Sequence, residues 1–135
     1  NEKMKSAVKG KAFISVNKAV VTRAAAVIPA ISLYISILFK IMKEKGLHEG
    51  CIEQMYRLFD ELYSDNLNID DKGRVRMDNL EMRSDIQEEV SKYWTTVNDS
   101  NLKDICDIDG YMNDFLNMHG FGVEGIDYSA DVENL

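Results

Sequence analysis

The sequence predicts a mostly α-helical fold with one or two short strands. Apolar residues recur at helical spacing through most of residues 29–118. Only Ala12 to Val16 gathers small, β-branched and aromatic residues in the short run expected of a buried strand, after turn-like Lys9-Gly10-Lys11. A lone strand has N–H and C=O groups that need partner strands. The expectation is therefore that its sheet partners lie outside these 135 residues.

Val20-Val21-Thr22, after Asn17-Lys18, either ends that strand or forms a second extended piece. Pro29 suits a helix N-terminus, where its missing N–H costs nothing. From Pro29 to Lys45, Ile31, Tyr34/Ile35, Leu38 and Ile41/Met42 fit one helical face; Lys40, Lys43 and Lys45 suit the negative end of the helix dipole, and Gly46 stops the helix. A second helix is expected from about His48 to Tyr63, with Ile52, Met55/Tyr56, Phe59 and Leu62/Tyr63 on one face. Ser64 to Gly73 reads as a loop ending in the turn signal Asp70-Asp71-Lys72-Gly73, and Arg74 to Leu80 as a short strand pair or irregular chain. A helix from Ser84 to about Val97 would point Ile86, Val90, Tyr93 and Trp94 inward. Leu102 to Cys106 reads as a helical turn. Asp109 to Met118 reads as a last helix with Tyr111, Phe115 and Met118 inward, before an irregular glycine-spaced tail.

Composition narrows the function classes. Hydrophobic residues make up 45% and charged residues 29%, ordinary for a globular protein, and a net charge of −7 argues against nucleic-acid binding. The charge is uneven. Residues 1–23 carry Lys3, Lys5, Lys9, Lys11, Lys18 and Arg23 against Glu2, either a solvated basic face or a surface for the phosphates of a cofactor or of coenzyme A. Residues 99–135 are acidic, with Lys103 the one cation. The uncharged run Ala24 to Phe39 falls short of the about 20 residues that span a membrane, so a buried helix or a pocket wall is expected. Cys51 and Cys106 form no metal-type pair, and two such cysteines in an acidic chain point to a reducing, cytoplasmic setting.

Several motifs fall away on spacing or context. His48-Glu49 lacks the second histidine that a zinc helix needs, since Ile52 stands one turn on, and no metal site is expected. Asn66, Asn68 and Asp70 alternate as in a calcium loop, but the glycine and the final glutamate are misplaced. Gly120, Gly122 and Gly125 approach the dinucleotide spacing, yet they follow a helix and lead into an acidic tail that repels phosphate. With two histidines and no nucleophile elbow, hydrolase chemistry has no support.

The most informative stretch runs from Ala12 to Lys45. A strand end, a threonine, the small Ala24-Ala25-Ala26, a proline and an apolar helix follow one another. Backbone groups and a hydroxyl at a strand's C-terminal end suit a nicotinamide or a phosphate, and the helix suits the wall of an acyl pocket. A core strand packed on a core helix fits the same residues.

These residues also resemble a known family. VVTRAAAVIPAISLY is similar to the Val-Thr-x-Ala-x-x-x-Ile-Pro…Leu-Tyr stretch of the trans-2-enoyl-CoA reductases and their FabV-type enoyl-acyl-carrier-protein reductase relatives. KIMKEKGLHEGCIEQMYRLF, DDKGRVRMDNLEMRSDIQEEV and GYMNDFLNMHGFGVEGIDY resemble later parts of the same family, in order. The resemblance implies the C-terminal portion of one reductase domain, whose complete form is α/β with a Rossmann-like short-chain-reductase core and extra helices. Residues 1–46 would be the end of that core, and residues 47–135 its helical C-terminal part.

The implied activity is reduction of the C2–C3 double bond of trans-2-enoyl thioesters, carried by coenzyme A or acyl carrier protein, with NADH. The family's glycine-rich loop and catalytic tyrosine and lysine would lie upstream. No catalytic residue is assigned in this chain, which alone is expected to be inactive. Tyr34/Lys43 and Tyr63/Lys72 both share the family's Tyr–Lys spacing, so spacing does not pick out either pair. By resemblance Val20, Val21, Thr22 and Arg23 are cofactor-binding, and Ile28, Pro29, Leu33 and Ile37 line the substrate side. Arg23 stands where the family often has glutamine, which leaves NADPH open beside NADH. FAD, though attached as a label to the family's C-terminal segment, is not expected. The missing N-terminal part of the same protein is the implied partner. The alternative is a stand-alone helical interaction module without catalysis.

Overall fold

Pro29–Glu44 is the longest helix, and three of the other helices pack against it. The computed structural model describes residue 3 and residues 12–130, so Lys5, Lys9, Lys11 and the last acids of the tail lie outside the described residues. Within them the order is β1 (Ile14–Val16), α1 (Arg23–Ala26), α2 (Pro29–Glu44), α3 (Cys51–Tyr63), β2 (Arg74–Arg76), α4 (Ser84–Thr96), α5 (Leu102–Ile105) and α6 (Ile108–Met118). The mostly helical class with two strands is as expected.

Local chemistry sets the ends of α2. Ile28, ahead of the proline, is extended (φ −113°, ψ 101°), as the proline ring requires, and Pro29 opens the helix. At the other end Gly46 takes φ 65°; its N–H donates to Lys43 O at 3.1 Å, and Leu47 N–H reaches back to Met42 O at 2.8 Å. That double closure satisfies carbonyls left over at the helix end, and only glycine takes its left-handed turn without strain.

The C-terminal half of α2 is apolar on both sides, so it needs cover on both. Ile37, Leu38, Ile41 and Met42 pack with Ile86 and Val90 of α4 and with Cys106. Ile35 and Phe39, on the other side, pack with Val21, Ala25 and Tyr111 of α6. Asp107 pins α6 to α2: its N–H donates to Ser36 O (2.9 Å), its carboxylate takes the Lys43 ammonium (2.5 Å), and it caps α6 at Gly110 N (3.0 Å).

The sheet corrects one expectation. β1 has a partner within the chain: β2 runs parallel to it, with Ile14 opposite Arg74, Ser15 opposite Val75 and Val16 opposite Arg76. Met77 and Asp78 extend the attachment, both donating to Val16 O (2.9 and 3.0 Å). β2 is one strand rather than a strand pair within Arg74 to Leu80. The turn before it is closed by Asp70, whose carboxylate accepts from Lys72 N and Arg74 N and pairs with the Arg74 side chain. Nor is β1 buried here, since Ile14 is 52% exposed.

Other departures concern ends and faces. α3 begins at Cys51, with Gly50 as its extended N-cap, so His48 and Glu49 precede the helix. Ala24-Ala25-Ala26 belongs to the short helix α1. Trp94 is exposed because the inward stripe of α4 runs through Ile86, Val90, Tyr93 and Val97 and leaves it to one side; Met118 is exposed because the stripe of α6 ends one turn earlier, at Phe115. The largest departure is α3. Its apolar face, with Ile52 75%, Tyr56 76% and Tyr63 84% exposed, is uncovered by the described residues, and Gln54 is its one buried side chain.

Candidate functional site

The segment leaving β1, residues 17–31, is held by buried polar groups and presents an exposed outer surface. Ahead of α1 the side chains of Val20 and Val21 part, as in extended chain. Val20 lines a small pocket of about 100 Å³ with Ser15, Asn17, Cys51, Gln54 and Met55, whereas Val21 enters the core beside Phe39 and Tyr111. Thr22 (φ −135°, ψ 162°) accepts from Ala25 N at 3.1 Å and so caps α1. Ser32 of α2 donates to Ala25 O (3.0 Å) and meets the Tyr111 hydroxyl (3.0 Å), fastening α1 to α2 and α6.

The root of the segment is fixed more firmly. Lys18 N–H donates to Gln54 Oε1 at 2.8 Å, and Ala19 N–H donates to Glu81 Oε2 at 2.7 Å. Glu81 Oε1 accepts from the Tyr34 hydroxyl (2.6 Å), and Gln87 Nε2 donates to the Glu81 carbonyl (2.8 Å). Burial, aided by the Glu81 carboxylate, pushes the Tyr34 hydroxyl up to about 12, so it stays a donor. Lys18 itself is 1% exposed; its Nζ donates to Ala19 O (2.9 Å) and lies 4.5 Å from the Phe39 ring centre. Burial pulls that ammonium down to about 8. His48 packs edge-on to the same ring (4.5 Å); burial, with Lys18 and Lys43 nearby, pulls it down to about 4.

Thr22, Arg23 and Ala24 are exposed, as are Ile28, Pro29 and Ile31. Arg23 makes no ion pair among the described residues. The outer surface therefore offers a hydroxyl-bearing residue, a guanidinium, a small alanine and an apolar shoulder, which fits a nicotinamide and phosphate beside an acyl chain. The named residues separate into two groups. Val20, Thr22, Arg23, Ile28 and Pro29 lie along the stretch of chain that leads into and opens α2, whereas the Val21 and Ile37 side chains are buried in the core and Leu33 is half-buried against it.

The repeated Tyr–Lys spacing is resolved by geometry. Nine residues make about two and a half helical turns, so Tyr34 and Lys43 lie on opposite sides of α2. The first is bound to Glu81 and the second to Asp107. Tyr63 and Lys72 are both exposed, at a helix end and in a turn. Neither pair converges on a point. Gln54 and Glu81, which fix the segment, were not singled out by the sequence. Each sits among mixed polar and apolar neighbours, Glu53-Gln54-Met55 and Asn79-Leu80-Glu81-Met82-Arg83, so the sequence carries no local signal for either.

Comparison with known proteins places the chain. Residues 1–63 match the family model described as trans-2-enoyl-CoA reductase catalytic region, and residues 69–132 match enoyl reductase FAD binding domain. A trans-2-enoyl-CoA reductase [NADH] of Ruminiclostridium cellulolyticum is 58% identical over 134 residues, covering 98% of this chain and 34% of its own length. An enoyl-[acyl-carrier-protein] reductase [NADH] of Coxiella burnetii is 54% identical over 132 residues, 96% of this chain and 32% of its own length. The crystal structure of Clostridium acetobutulicum trans-2-enoyl-CoA reductase in complex with NADH superposes with a TM-score of 0.86 at 48% identity, over 98% of this chain and 34% of that one. The Treponema denticola enzyme in complex with NAD gives 0.85 at 46% identity, over 98% and 34%. The arrangement of helices and parallel strand pair described above is thus shared with a portion of both solved reductases. The chain belongs to the trans-2-enoyl-CoA reductase family and spans about a third of the length of the relatives it matches.

Proposed function

We propose that the complete protein reduces the C2–C3 double bond of trans-2-enoyl thioesters with NADH, and that this chain is its C-terminal portion. The single observation carrying this is 58% identity along nearly the whole chain to a reductase named for NADH. Two further features support a piece of a larger body: the uncovered apolar face of α3 and the half-exposed β1. The stand-alone module reading is not favoured, because the similarity runs through the chain into enzymes about three times as long.

On this reading residues 1–46 end a Rossmann-like, short-chain-reductase core and residues 47–135 form its helical C-terminal part. The bound nicotinamide supplies the hydride that goes to C3 of the substrate. The chain's own part is binding and orientation. The backbone of Val20 and Val21 and the Thr22 hydroxyl face the cofactor, and the Arg23 guanidinium meets a phosphate. Ile28 and Pro29 exclude water from the acyl side, with Leu33 behind them and Ile37 anchoring the wall from the core. Proton transfer belongs to upstream residues. FAD, which the matched domain's description names, has no part in this reading, since relatives solved with a cofactor hold NADH or NAD. Coenzyme A or acyl carrier protein bears the thioester, and the setting is cytoplasmic; no helix among the described residues is long and apolar enough to cross a membrane.

Thioester-dependent oxidation of NADH tests the reading. The complete protein is expected to turn over a trans-2-enoyl-CoA, and the 135-residue chain alone is expected to show none. Turnover by the short chain, or none by the complete protein, would refute it.

A further inference from the structure

Two buried side chains, Glu81 (7% exposed) and Gln54 (4%), hold the backbone just ahead of residues 20–23. Gln54 takes the Lys18 N–H and Glu81 the Ala19 N–H. Glu81 alone also reaches a second element. One carboxylate oxygen accepts from Ala19 N–H at 2.7 Å, and the other from the Tyr34 hydroxyl at 2.6 Å. Tyr34 sits on α2, one turn beyond Pro29 and its neighbours. One carboxylate thus bridges the strand-end segment and the helix that carries the apolar shoulder. Gln87 of α4 holds the Glu81 carbonyl and also meets the Tyr34 hydroxyl (3.3 Å), which keeps the bridge from swinging away.

We propose that Glu81 is a positioning residue for the nicotinamide cofactor: through Ala19 it fixes the backbone of Val20 to Arg23, and through Tyr34 it fixes that backbone relative to α2. The inference rests on the reading of residues 20–23 as the cofactor face. Glu81 touches neither cofactor nor substrate on this account. Its effect travels along two peptide units and one tyrosine. Charge matters to the arrangement, because a carboxylate accepts from both donors at once, whereas a carboxamide accepts from one and turns an N–H toward the other.

Direct titration of the complete protein with NADH, followed by calorimetry, tests this. Glu81→Ala is expected to weaken NADH binding about tenfold, the scale of one fixed hydrogen bond to a charged group. Glu81→Gln, the same size with one acceptor fewer, is expected to weaken it about threefold. Leu38→Ala, which loosens the core cluster against which Ala19 and Tyr34 pack but removes none of their hydrogen bonds, serves as the control for general loosening and is expected to leave the NADH Kd of the folded protein within twofold. If Glu81→Ala does not fold, Glu81→Gln decides. An unchanged Kd in the Glu81 variants overturns the proposal, and so does an equal loss in Leu38→Ala. A complete protein that binds NADH but does not oxidise it with an enoyl thioester refutes the reductase reading and leaves this test standing. One that does not bind NADH overturns both.

Discussion

Gly110 has no room for a side chain. A Cβ there would run into the Asp107 carboxylate and the Lys43 ammonium, which form the ion pair fastening α6 to α2. Gly110→Ala is expected to lower the unfolding free energy of the complete protein by about 1–3 kcal/mol, the usual range for overpacking. An unchanged denaturation midpoint would mean that the pair simply moves aside. Burial pushes the Asp107 carboxyl up, but Lys43 and the Gly110 N–H outweigh it and hold it below the usual range. His48 offers a pH test. Its imidazole is held down to about 4 in the fold, against an ordinary value of 6.5. Between those two values the unfolded chain binds a proton that the folded chain does not, so stability falls as pH drops through that window and is unaffected by this group above it. Replacing His48 by Gln, which does not titrate, should flatten that part of the curve. An identical pH dependence in both proteins would show that His48 does not resist protonation.

Among the elements, α2 carries more of the core than any other, and its apolar positions are the ones a single substitution should hurt most. Leu38→Ala is expected to destabilise by about 2–5 kcal/mol through lost burial and the cavity left behind, read from chemical denaturation; a loss under about 1 kcal/mol would mean that α4 closes the gap. This helix was legible from sequence because its signals are local: a proline at one end, a glycine at the other, and apolar spacing between. The ends of α4 and α6 were legible to within a turn for the same reason. The β1–β2 pair was not. Three-residue strands leave almost no periodicity, and register between chain segments about sixty residues apart has no local signature. The face of α3 was visible, but periodicity names the apolar side of a helix without naming what covers it. The candidate site divides in the same way. Val20 to Pro29 were singled out because the family resemblance runs through them. Glu81 was not, because its importance comes from two hydrogen bonds across 47 and 62 residues of sequence.

As a whole, the molecule exposes what proteins usually bury. Ile52, Tyr56, Phe59 and Tyr63 form an uncovered apolar stripe along α3, and β1 has a free edge among the described residues. The isolated 135-residue chain is therefore expected to self-associate, measured by sedimentation at rising concentration, and Tyr56→Lys with Phe59→Glu to reduce that association. A chain that stays monomeric at every concentration would show that the stripe does not drive association. In the complete protein the same two substitutions are expected to lower stability instead.

The strand pair also bears on how the gene can be taken apart. β1 falls within residues 1–63 and β2 within residues 69–132, so the stretches that comparison labels as catalytic region and FAD binding domain share one sheet. A chimera joined between residues 63 and 69 would keep every helix of both parents whole and still make strands from different parents find a common register. Its fate would hang on Met77 and Asp78 meeting Val16 O across the join. Crossovers that keep both strands from one parent avoid that demand, so recombination within the family should tolerate breaks beyond β2 better than a break at the boundary between its two named parts.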